Sequence, residues 1–187
     1  MVQAFDNAKQ RDTLLALLHA SRERFLASFA GMSEEEARVR PDSDSWSVLD
    51  CVEHICVAES GMCRSLKSGQ RPRSADLPNR EERFLAFAAD RGTKRESPEA
   101  GRPTGRFATL AEAAQQFRSI RQGLIALIEE NQADLRATEV THPHAVVGVV
   151  SSYEMVIIMA RHTDRHAAQI EEVRSSPAFN SNTVTRS

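Results

Sequence analysis

Three times in this chain a hydroxyl residue stands three positions ahead of an acid, directly before apolar residues at helical spacing: Ser47 and Asp50, Thr109 and Glu112, Ser151 and Glu154. The hydroxyl oxygen accepts from a backbone N–H that an initiating helix leaves unpaired, and the acid accepts in return from the N–H of the cap residue. Asp is a weaker partner than Glu in this role, but Trp46, just ahead of Ser47, can pack on Cys51 and staple the entry of that helix. The pattern fixes where three helices begin. The first of these runs to about Ser68 and stops before Gly69. The next continues through Phe117, Ile120, Leu124, Leu127 and Ile128 to about Asn131. The last carries Met155, Ile158, Met159, His162, His166 and Ile170 on one face and ends ahead of Pro177. Another helix precedes all three, from about Asp6 to Phe29, with Leu15, Leu18, Phe25, Leu26 and Phe29 to one side and Gly31 as a left-handed terminator. No stretch alternates in the manner of a strand. Four such helices in 187 residues predict an all-α fold: one four-helix bundle over residues 1–176, with a flexible tail over 177–187.

The connection between the second and third helices, Gly69 to Ala108, spans 40 residues with four prolines and four glycines. A loop that long rarely stays without structure inside a compact domain. REERFLAFAADR, Arg80 to Arg91, reads as a short helix laid across the bundle on Phe84 and Phe87, and Glu96 to Arg106 as an exposed connection.

Twenty-four basic residues against 26 acidic ones leave a formal net charge of -2. This balance argues against a general nucleic-acid binder, which neutralises phosphates with a basic face. No apolar run approaches the roughly 20 residues of a membrane span. The opening MVQAFDNAKQRD has no signal-peptide core, so the expected location is the cytoplasm. Cys51, Cys56 and Cys63 form no CxxC pair and read as reduced core thiols.

The chemistry is concentrated in HTDRH, residues 162–166. Imidazoles four residues apart lie roughly 40° apart on one helix face, one turn above the other, the spacing from which one helix offers two nitrogens to one metal. The general-base Glu of the zinc-protease helix has no counterpart between them. A third ligand must come from elsewhere. His54 projects about 60° to one side of the apolar centre formed by Cys51, Ile55, Ala58 and Met62. The small residues Ser47, Gly61 and Ser65 flank that side and leave room for an ion or a ligand. Three neutral histidines suit zinc, nickel, iron or cobalt and leave coordination positions open. His19 reads as a buried, hydrogen-bonded residue of the first helix, and His142 and His144 as loop residues.

WSVLDCVEHI (Trp46 to Ile55) together with RHTDRHAAQI (Arg161 to Ile170) resembles the DinB-like superfamily of metal-binding four-helix bundles, which includes bacillithiol- and mycothiol-dependent enzymes. The resemblance implies that His54, His162 and His166 are the metal ligands, that the bundle runs up-down-down-up with its long connection between the second and third helices, and that the chain forms a homodimer. It further implies a metal-dependent transferase that uses a low-molecular-weight thiol as nucleophile against an electrophilic small molecule, with zinc or nickel as the metal. A non-catalytic metal-binding or stress-related dimer and a metal-dependent hydrolase stand as alternatives. Arg165 reads as a surface charge or ion-pair partner, or as a group that reaches a substrate carboxylate, and Gln169 as a partner that orients an imidazole. Glu53 and Asp164 turn away from the histidine face, which favours a thiol nucleophile over hydrolysis.

Overall fold

The computed structural model describes residues 2–89, 97 and 99–184. Its helices are α1 (Val2–Ser28), α2 (Val48–Ser68), α3 (Glu81–Leu85), α4 (Leu110–Glu130), α5 (Ser152–Arg174) and α6 (Pro177–Val184). The three starts read from the sequence are in place. Ser47 and Ser151 each form the full reciprocal box with Asp50 and Glu154. Thr109 accepts from the Glu112 N–H, while the Glu112 carboxylate takes the N–H of Ala108. Gly31 has φ +73°, a left-handed turn three residues beyond α1.

The four long helices pair in an order that adjacency in sequence would not suggest. α1 packs on α4 and α5, and α2 packs on the same two, so both α1/α2 and α4/α5 lie across diagonals. Contacts along the helices give their directions. Arg24 binds Asp164 and the Ser28 carbonyl accepts from Arg174, so α1 and α5 run in the same sense. Cys56 meets the Ala113 carbonyl and Glu59 meets Arg121, so α2 and α4 run together. Asn7 reaches Gln132 while Phe25 packs edge-on against Phe117, so α1 and α4 are opposed. The bundle is therefore up-down-down-up.

Two apolar clusters fill it. One gathers Phe25, Phe29, Val52, Ile55 and Phe117, and the other Leu14, Leu18, Leu124, Ile128, Met155 and Met159. Between them lies a buried polar knot. Arg121, Glu59, Thr163 and Ser21 are all fully buried. The Arg121 guanidinium donates to the Glu59 carboxylate, to the Ser21 hydroxyl at 2.7 Å, to the Thr163 hydroxyl at 2.8 Å and to the Leu18 carbonyl at 3.0 Å. One side chain thus ties α4 to the other three helices.

The structure departs from the sequence reading in several places. A small antiparallel sheet, absent from that reading, joins β1 (Arg71–Pro72), β2 (Thr138–Thr141) and β3 (Val149–Ser151) in that order, with Arg71 opposite Glu139 and Val140 opposite Val150. Its strands are too short to show a period. The helix expected over 80–91 is α3 followed by a 3₁₀ turn, Ala86–Ala89, and both lie on α5; Asp90 and Arg91 fall outside the described residues. Within the segment expected as a tail, Pro177–Val184 forms α6, with Phe179 8% exposed, and residues 185–187 fall outside the described ones. Among the described residues no helix is long and apolar enough to cross a membrane.

Candidate metal centre

The Ser47 box sets the first turn of α2, and His54 follows two turns along, 6% exposed. His162 and His166 stack one turn apart on α5, which packs against α2. The three imidazoles converge through their Nε2 atoms. His162 Nε2 lies 3.2 Å from His54 Nε2 and 3.1 Å from His166 Nε2. One nitrogen from each of the three rings can be chosen so that all lie within 4.8 Å of one another.

Hydrogen bonding decides which nitrogens these are. His54 Nδ1 stands 2.6 Å from the carbonyl oxygen of Gly101. A carbonyl only accepts, so Nδ1 carries the proton and Nε2 presents its lone pair to the other rings. His162 Nε2 can donate at most one proton to one neighbour. Three Nε2 atoms at this separation therefore leave lone pairs facing each other, a conflict that a cation resolves. Tetrahedral nitrogen ligands at ~2.0–2.1 Å from a metal stand about 3.3 Å apart, close to the spacing found here. The residues fit a divalent ion.

Electrostatics point the same way. Burial holds the pKa of His162 well below the ordinary imidazole value, and electrostatic repulsion between its protonated form and His54, His142 and Arg165 presses it further down. Burial also lowers that of His54, opposed by its bond to Gly101. Neutral imidazole is the ligand form. Trp46 packs against the cluster that contains Cys51, as its staple position suggests, and its ring also walls the site. It stacks on His166 at 6.0 Å between ring centroids and leans on His54 at 4.9 Å.

The remaining residues singled out in the sequence lie elsewhere or act differently. His19 is half-buried on α1, outside the three-histidine group. His142 and His144 sit in the β2–β3 turn, where the N–H of His144 donates to His142 Nδ1 and that of Val146 to His144 Nδ1. Arg165 is not a surface charge: it is 6% exposed, its guanidinium 5.5 Å from the ring centre of Phe87 in the 3₁₀ turn after α3. Gln169 is half-buried and makes no hydrogen bond to an imidazole. Glu53 and Asp164 do turn away, Glu53 toward residues 104–106 and Asp164 toward Arg24 and Arg161. Pro143 stands beside Gly61, its Cγ in ordinary contact at 3.4 Å from the position a Cβ would occupy. An open cleft of about 420 Å³ begins at this point and runs toward Arg64 and Arg71, away from the histidines.

Sequence reasoning missed Gly101, which chooses the ligand nitrogen of His54 from 47 residues away. It lies in the stretch expected to be an exposed connection. Its small size beside Pro103 and Gly105 was the available signal, and nothing local tied it to His54.

Comparison with known proteins adds the family. The sequence model of the DinB superfamily matches residues 17–170. The chain is 25% identical over 146 residues to the uncharacterized protein YuaE of Bacillus subtilis strain 168, covering 77% of this chain and 86% of that one. Its fold is similar to that of YfiT from Bacillus subtilis, described as a probable metal-dependent hydrolase with an unusual four-helix bundle topology. The TM-score is 0.56 at 14% identity, covering 89% of this chain and 86% of YfiT.

Proposed function

This chain belongs to the DinB superfamily, and on that premise we propose that it is a metal-dependent transferase in which His54, His162 and His166 hold one zinc or nickel ion beside a low-molecular-weight thiol. The convergence of the three Nε2 atoms, with His54 Nδ1 committed to Gly101, carries the reading. A divalent cation in this position supplies Lewis acidity, lowering the pKa of a thiol or water placed beside it to near neutrality.

The residues around the site bind and shield rather than move protons. Trp46 covers the His54 and His166 rings and keeps water from that side. The carboxylates nearest in sequence to the ligands are all engaged by arginine: Glu53 by Arg106, Asp50 by Arg40 and Asp164 by Arg24. A nucleophile that ionises without a separate base suits such a site, and thiols ionise far more readily than water. Metal-dependent hydrolysis is a second reading, supported by the likeness of the fold to YfiT.

Elemental analysis of tag-free protein tests the metal, comparing wild type with His54→Ala and His166→Ala. About one zinc or nickel per chain is expected in wild type and none in either variant. No metal in wild type after incubation with excess zinc and nickel would refute the reading. Loaded protein is then assayed with cysteine or a cysteine-derived thiol and monochlorobimane, and separately with activated esters. Thiol conjugation lost in His54→Ala supports transfer, ester cleavage without thiol supports hydrolysis, and inactivity in both supports a non-catalytic metal binder.

A further inference from the structure

Glu53 directly precedes His54, so its side chain leaves α2 about 100° around the helix from the imidazole. One segment nonetheless meets both. Glu53 is 1% exposed and accepts three hydrogen bonds: from the N–H of Thr104 at 2.6 Å, from the N–H of Arg106 at 2.9 Å and from the Arg106 guanidinium at 2.8 Å. Burial pushes its pKa up, but these bonds and the arginine charge outweigh it and leave the carboxyl below its ordinary value. Both oxygens are engaged, so Glu53 is held as an anchor and not poised as a base.

At the near end of the same segment, the Gly101 carbonyl accepts the proton of His54 Nδ1. The stretch between is tied to itself. Arg106 also donates to the Arg102 carbonyl at 3.2 Å, and Arg102 donates through Nε to the Ser97 carbonyl at 3.3 Å and through its N–H to Glu99 at 3.0 Å. A Cβ on Gly101 would stand 2.9 Å from Ser97 Oγ, which would have to shift, and 3.5 Å from His54 Cε1, an ordinary packing contact, so the backbone of residue 101 lies directly against the ring. A loop carbonyl fixes an imidazole only as well as the loop itself is fixed. Here the loop belongs to a connection of 40 residues, and among the described residues the Arg106–Glu53 pair is a charged attachment of that loop to α2.

We propose that Glu53 is a positioning residue for the metal centre: it holds residues 101–106 so that the Gly101 carbonyl locks His54 with Nδ1 protonated and Nε2 turned toward His162. The effect on metal affinity rests on the three-histidine reading above; the effect on the His54 ring does not. Outer hydrogen-bond partners of this kind typically change metal affinity 10- to 100-fold when removed.

The test uses the full chain with Glu53→Gln, which turns one acceptor oxygen into a donor facing Arg106, and Arg106→Gln, a milder change at a side chain 41% exposed. The ring nitrogens of His54 are followed by long-range 15N–1H correlation in zinc-free protein at pH 7.5. Wild type is expected in the Nδ1–H form, and both variants are expected to populate Nε2–H. Zinc affinity is read by competition with a chromophoric chelator. About 10-fold weaker binding is expected in each variant. Should Glu53→Gln fail to fold, Arg106→Gln carries both readouts. An unchanged tautomer with zinc affinity within twofold of wild type overturns the proposal and leaves the metal reading standing. A tautomer shift in protein that binds no zinc keeps the proposal and removes the metal reading.

Discussion

Replacing Arg121 by Met tests how the bundle is held at its centre. The substitution keeps most of the volume and the helix propensity of the side chain. What it removes is the cation whose guanidinium neutralises Glu59 and reaches Ser21, Thr163 and the Leu18 carbonyl. Both charged side chains are 0% exposed, so the carboxylate gains no water in exchange. Thr163 still donates to Glu59 at 2.7 Å, which satisfies one lone pair and leaves the charge uncompensated. Breaking a buried pair by removing one partner costs about 3–5 kcal/mol, against about 5–15 kcal/mol of total stability for a domain. At roughly 2–4 °C per kcal/mol for a chain of this size, the expected loss in Tm is about 6–20 °C. Urea unfolding of metal-free protein at pH 7.5 is the direct measure, with the midpoint lowered and the m-value unchanged. Replacing Glu59 and Arg121 together, each by Met, is expected to cost less than Arg121→Met alone, because no buried charge is then left without its partner. A loss below about 1 kcal/mol for Arg121→Met, or a double variant no more stable than the single, would refute this account.

Further outcomes follow from the same structure. Ser151→Ala removes the hydroxyl that accepts from the Glu154 N–H at 3.1 Å, and is expected to lower stability by about 1 kcal/mol in urea titration. Burial pushes His142 down to about 4, below its value of about 6.5 in an unfolded chain. The unfolded state therefore binds the extra proton first: stability is full above pH 6.5 and is lost as pH falls toward 4, by on the order of 3 kcal/mol from this group. Urea midpoints measured from pH 7.5 to 4.5 without zinc should fall less steeply in His142→Asn than in wild type; parallel curves would contradict the assignment. Burial also raises the Cys56 and Cys63 thiols to about 12 and about 11, with the Glu59 charge adding to both. Ellman's reagent at pH 7.5 should consequently react slowly with native protein and rapidly with all three cysteines in urea. Fast native labelling of Cys56 would contradict its burial.

What the sequence alone determined about this protein is what closes within a turn or two of helix. Ser47, Thr109 and Ser151 announce their helices because cap and acid meet across three residues, whatever the rest of the chain does. His162 and His166 declare a shared face because 3.6 residues per turn place them there. The family resemblance supplied the long-range pairing of His54 with them and the up-down-down-up order. Tertiary structure alone decided the features whose two halves are distant in sequence and generic in composition. Arg71 meets Glu139 in a strand pair too short to show a period. Arg121 is one arginine among many until the crossing of the helices surrounds it with Leu18, Ser21, Glu59 and Thr163. The same holds for Gly101, whose backbone carbonyl reaches His54 only after the long connection has folded back. Side-chain type carries no trace of such a contact, because a carbonyl is common to every residue and only its placement in space makes it a partner.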